Sequence, residues 1–146
     1  MAQFGRPITD TTRDNWFDPV GGTTGLFGQI DEPQADDADY IQTQQAPTND
    51  VYVTRFSPIE NPAVSTGHII RYRFAKDTSG GNQIDLTVEL RQGYVSEVSL
   101  GTLIRSWTHA NITEALITAQ QVLSTAEADA ITDYGNLYLR VVANQP

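Results

Sequence analysis

Two stretches of strict period-two alternation, Gly67 to Lys76 and Gln83 to Gln92, constrain this chain more than anything else in its sequence. In the second, Ile84, Leu86, Val88 and Leu90 fall on one face and Asp85, Thr87, Glu89 and Arg91 on the other, the pattern of a strand with one buried and one wet side. In the first, Ile70, Tyr72 and Phe74 take the core face, with Arg71 and Arg73 opposite. The turn formers Asp77 to Asn82 between them predict a β-hairpin, in which Arg71 and Arg73 meet Asp85 and Glu89 across the strands.

Weaker strand signals occur at Leu26 to Ile30, Asp39 to Thr43, Val51 to Phe56, Thr102 to Thr108, Ile112 to Gln121 and Asn136 to Ala143, which brings the expected number to about eight. One short helix is expected near residues 124–131, because Ser124-Thr125-Ala126-Glu127 has the spacing of a capping box. Its position suggests a helical crossover between two sheets. The fold class is therefore all-β, a two-sheet antiparallel β-sandwich. A jelly roll is the most economical winding and an immunoglobulin-type sandwich the alternative, since alternation does not encode connectivity.

A chain of 146 residues is the size of one domain and can bury a core without disulfides or metals. It has no cysteine, consistent with a reducing compartment. The start, Met1 to Pro7, lacks the basic-then-apolar pattern of a secretion signal, and no apolar run has the length of a membrane span. The net charge of −9 repels phosphate, so neither nucleic acid nor an anionic membrane is an expected partner. Most of that charge lies in residues 1–66, which hold three arginines against ten acids and six of the seven prolines. Residues 1–25 accordingly read either as an extended arm or as a first strand and loop, with residues 26–146 as the sandwich domain. Arg6, Arg13, Trp16 and Phe17 would anchor such an arm on a partner; the alternative for Trp16 is a plug at the end of its own sandwich.

Residues 31–39 carry five carboxylates, and Asp31, Asp36, Asp37 and Asp39 would be the side-chain ligands of a structural calcium ion. The spacing is not that of an EF-hand, and a solvated turn whose aspartates cap backbone amides is the favoured reading. No catalytic residue and no cofactor can be named. His68 and His109 have no second ligand at metal spacing, no Gly-x-Ser-x-Gly elbow appears, and Gly80-Gly81 reads as a turn, not a phosphate cradle. Trp107 shares its alternation face with Leu103 and reads as core. The chain is expected not to be an enzyme.

The strings Arg6-Pro7 through Trp16, Leu26 to Asp39, Asp36-Asp37-Ala38-Asp39-Tyr40-Ile41, Gly67-His68-Ile69-Ile70-Arg71-Tyr72-Arg73 and Leu123 to Tyr134 together resemble small virion-associated proteins of tailed bacteriophages. The resemblance implies a jelly-roll-like structural protein, made in the bacterial host cytoplasm and carried on the phage particle. It would be a capsid decoration or cement protein that bridges subunits of the major capsid protein, or binds another virion protein. A homo-oligomer is implied, a trimer if it sits on the three-fold positions of a shell. Deleting residues 1–25 would then remove particle binding and spare the sandwich. The alternative on the same fold is a tail- or fibre-associated carbohydrate-binding module that stacks sugars on Trp and Tyr.

Overall fold

The computed structural model describes residues 1–78 and 81–146. Among them the strands are β1 (Pro7–Arg13), β2 (Trp16–Phe17), β3 (Gln42–Thr43), β4 (Asp50–Phe56), β5 (Ile69–Phe74), β6 (Asp85–Gln92), β7 (Thr102–His109), β8 (Ile117–Val122) and β9 (Leu137–Asn144). The larger sheet has the order β1-β4-β9-β6-β7, while β5 and β8 pair in a second sheet and β2 and β3 form a small ribbon. All pairings are antiparallel. The fold is an all-β sandwich, as the alternation predicted.

Pairing of β4 with β9, β5 with β8 and β6 with β7 nests the last six strands as one long hairpin folded over on itself. This is how a jelly roll winds, with six strands in place of eight. An immunoglobulin-type sandwich does not nest its strands in this way.

The predicted hairpin does not form. β5 pairs with β8 in one sheet, and β6 lies between β9 and β7 in the other. Alternation specifies which face of a strand is buried, not which strand it pairs with. The faces were assigned correctly: Ile70, Tyr72 and Phe74 pack across the core on Leu86, Val88 and Leu139. The residues between the two strands carry the chain from one sheet to the other, and Ser79 and Gly80 of the expected turn lie outside the described residues. Arg71 therefore bonds Gln120, and Arg73 pairs with Asp37 at 2.7 Å, instead of meeting Asp85 and Glu89.

Other expectations shift locally. Leu26–Gln29 is a 3-10 turn, not a strand, and plugs the core through the fully buried Leu26. The strand expected over Asp39–Thr43 shrinks to β3, and that over Ile112–Gln121 to β8, with Ile112 outside the strand but buried in the main core. Trp107 does pack against the core, but Leu103 is 45% exposed, because a register shift between Leu90 and Arg91 moves the two onto opposite faces. The helix α1 (Thr125–Asp129) starts at the predicted capping box. The Ser124 amide donates to the Glu127 carboxylate at 2.8 Å and the Glu127 amide to the Ser124 hydroxyl at 3.3 Å. As expected, it carries the chain from the second sheet, at β8, back to β9 in the first. No helix among the described residues is long and apolar enough to cross a membrane.

Of the two alternatives for residues 1–25, the structure contains the first strand and loop. β1 is an edge strand of the larger sheet, hydrogen-bonded to β4. Its Asp10 reaches inward, accepting from the Tyr52 hydroxyl at 2.8 Å and from the amides of Leu26 at 2.9 Å and Phe27 at 2.8 Å. One carboxylate thus ties β1 to β4 and caps the 3-10 turn. Burial, and then the neighbouring Asp10, push the Tyr52 hydroxyl far above its ordinary pKa, so it stays a hydrogen-bond donor.

Candidate functional site

The outward face of β6, expected to be wet, is half covered. On it lie Glu89 and Arg91 from β6, Tyr138 and Arg140 from β9, and Val51 and Val53 from β4. Residues 93–101, between β6 and β7, fold back over them. Gly101 makes that return possible: its φ is +67°, and an added Cβ would strike the Gln92 carbonyl and the Gly93 backbone. Tyr94 drops into the cover, 2% exposed, with its ring 5.6 Å from that of Tyr138. Its hydroxyl lies 2.7 Å from that of Thr12 and donates to Glu97 at 2.9 Å.

Arg140 is the hub beneath this cover. It donates to both Glu97 oxygens, at 2.9 and 2.6 Å, and to Glu89 at 3.1 Å. Arg91 also donates to Glu89, at 2.7 Å, and reaches the Leu100 carbonyl at 3.4 Å. The bidentate Arg140–Glu97 contact is the geometry in which an ion pair is strongest. Outside the brace the chain turns sharply between Ser96 and Ser99, whose backbones bond reciprocally at 3.2 and 2.9 Å. Val95 and Val98 flank and top this turn, 71% and 97% exposed. Two apolar side chains are thus shown to solvent on a loop held by the Arg140–Glu97 ion pair, whose arginine is 15% and whose glutamate is 35% exposed. The sequence signal, Tyr94 and Glu97 between Gly93 and Gly101, reads as an ordinary turn until Arg140 is placed beside it.

Arg140 hydrogen bonding holds the Glu97 carboxyl below its ordinary pKa. A carboxyl with a lowered folded-state pKa stabilises the fold fully above its ordinary value, and that stabilisation is lost as pH falls from there through the lowered one. The loop is therefore expected to loosen on acidification below the ordinary glutamate range, under about pH 4. Near-ultraviolet circular dichroism of Tyr94 and Tyr138 should fall before the far-ultraviolet β signal, and Glu97→Gln should remove that early step. Simultaneous loss of both signals in the two proteins would refute the brace.

The anchors expected from the sequence do not form one surface. Trp16 is 7% exposed; its indole donates to the Asp50 carbonyl at 3.1 Å and packs 6.0 Å from Tyr52, so it is the plug and not a partner contact. Phe17 is half-buried in the β2–β3 ribbon. The Arg6 guanidinium is taken up by its own chain, donating to the Glu32 carbonyl at 2.6 Å and the Asp31 carbonyl at 3.4 Å. Of the four, Arg13, at the end of β1, is exposed.

The calcium ligands are not assembled either. Asp37 gives its two oxygens to Arg73, at 2.7 and 2.8 Å, and Asp36 accepts from the Ala38 amide at 2.9 Å. Asp31 and Asp39 join no group with them: among the described residues no three His, Cys, Asp or Glu side chains gather where they could hold a metal. The acidic stretch is a capped turn with an arginine as its counter-ion.

The histidines serve the interior. His109 lies 2.7 Å from the Tyr72 hydroxyl and against Phe74, and burial lowers its pKa, favouring the neutral ring. His68 lies 2.7 Å from the Tyr134 hydroxyl. The Ser65 hydroxyl donates to Asp129, so serine and histidine hold different partners and make no nucleophile–base pair. No protein-family model, curated protein or solved structure matches this chain.

Proposed function

We propose that this chain is a structural protein of a tailed-bacteriophage virion, a decoration or cement protein that stabilises the head by bridging capsid subunits. The observation that carries a protein-contact role is the braced loop with Val95 and Val98 at its tip. A rigid apolar tip loses little conformational freedom when it docks, so the burial of two valines is retained as affinity. The placement on a phage particle rests on the sequence strings, the jelly-roll winding also found in capsid domains, and an acidic body that repels packaged DNA. The carbohydrate-binding alternative has less support, because Trp16 is buried and Trp107 packs inward against Tyr72.

Quantitative mass spectrometry of gradient-purified particles tests the placement. The expected result is a copy number comparable to that of the major capsid protein; a few copies per particle would move the chain to the neck, tail or fibre. Absence from particles would end the proposal. Within a positive result, Val98→Asp should lower occupancy on the particle at least tenfold and leave the melting temperature of the free protein unchanged.

A further inference from the structure

The second sheet has only two strands among the described residues, and one of its edges is unprotected. The register sets Ile69 opposite Val122 and Phe74 opposite Ile117, and the Leu123 amide donates to the His68 carbonyl at 2.9 Å. In an antiparallel ladder hydrogen-bonded positions alternate, so Ile117, Ala119 and Gln121 turn their backbone groups toward β5. Thr118, Gln120 and Val122 turn theirs away from the sheet, toward a side where no described strand pairs.

Exposed edges are normally blunted by charge, proline or bulges, or are covered. β1 has Pro7, Asp10, Arg13 and two register shifts. β7 has a register shift and Arg105, which is held by Glu127 of α1 at 2.6 Å. β5 carries Arg71 and Arg73, the latter tied to Asp37. β8 has none of these devices, and no charged residue or proline stands between Glu114 and Glu127. Leu116, Ile117 and Val122 are 47%, 42% and 63% exposed there.

We propose that β8 pairs antiparallel with β8 of a second copy about a two-fold axis through Gln120, joining the two small sheets into one of four strands. The charge distribution selects this occupant. At a net charge of −9, contact between copies is repulsive overall, but β8 contributes no charged side chain of its own, and the charges laid over it are the Arg71 and Arg73 guanidiniums, each already bonded to Gln120 or Thr118. Each outward-turned backbone position then meets its like, with Gln120 opposite the second copy's Gln120 and Thr118 opposite its Val122. The side chains are preset: Gln120 accepts from Arg71 through its oxygen at 2.9 Å, leaving its amide donors for the seam, and Thr118 accepts from Arg73 at 3.0 Å. A foreign strand would cover one edge, whereas a second copy covers both. The symmetry closes at a dimer, not at the trimer that the sequence resemblance implied.

Sedimentation of the full chain should give twice its 16.1 kDa mass. Gln120→Lys, which sets two cations face to face, should return it to the single mass. The chain has no cysteine, so single replacements report register directly. Gln120→Cys should cross-link on oxidation, because hydrogen-bonded antiparallel positions lie about 5.5 Å apart, within disulfide reach. Thr11→Cys on the β1 edge should not, and the cross-link decides the matter should Gln120→Lys fail to fold. The proposal is overturned by a wild-type chain that sediments at 16.1 kDa up to roughly millimolar concentration, or by a Thr11→Cys variant that cross-links as fast as the Gln120→Cys variant. Neither outcome bears on the virion role, which the particle analysis tests separately.

Discussion

Removal of residues 1–25 is expected to abolish the cooperative thermal transition of this protein and to leave a chain without a stable sandwich. This reverses the outcome expected of a detachable arm. The deletion takes away β1, and with it the hydrogen bonds along β4; it removes Trp16 from the main core; and it removes Asp10, leaving the Tyr52 hydroxyl without its acceptor and the 3-10 turn at a fraying terminus without its tie to β1. Loss of a buried Trp alone costs about 3–5 kcal/mol. A buried donor left unpaired adds about 1–3 kcal/mol. The sum reaches the whole stability of an ordinary domain, about 5–15 kcal/mol. Far-ultraviolet circular dichroism through a thermal ramp reads the result. A truncated chain that kept the native β spectrum and a sharp melt would show that β1 is dispensable and restore the arm.

Much of the framework was legible in the sequence because it depends on local chemistry. Ser124 and Glu127 satisfy each other's amides whatever surrounds them, so the capping box was readable from spacing. The buried faces of β5 and β6 were readable from alternation. Strand partners were not, because β5 could meet either β6 or β8 with its apolar face inward, and only the packing of Tyr72 and Phe74 over Leu86 and Val88 decides between them. Trp16 shows the same limit from the other side. Its polar, glycine- and proline-bounded neighbours suggest exposure, but the Asp50 carbonyl that takes its indole proton lies 34 residues away. The tip residues Val95 and Val98 were illegible for a related reason: they gain significance only once Arg140, 43 residues beyond Glu97, holds the turn in place.

Glu89→Ala should destabilise the protein by about 3–5 kcal/mol, the usual cost of breaking a buried ion pair by removing one partner. Among the described residues Glu89 is the one carboxylate bonded to Arg91, whose side chain is 10% exposed, and it shares Arg140 with Glu97. Its loss leaves the Arg91 charge in a setting too dry to hydrate it. If the network served stability alone, apolar replacement of all three members, Glu89→Leu with Arg91→Met and Arg140→Met, should restore most of the loss, since buried ion pairs replaced together by packed apolar side chains are often neutral or better. The structure gives the network a second task, because Arg140 also fixes Glu97 and through it the turn that carries Val98. The triple variant should therefore recover its urea midpoint and still bind particles poorly, whereas Glu89→Ala should lose both. Recovery of stability and binding together would detach the tip from the contact. A cost below about 1 kcal/mol for Glu89→Ala would instead place the pair in the class of solvated surface bridges.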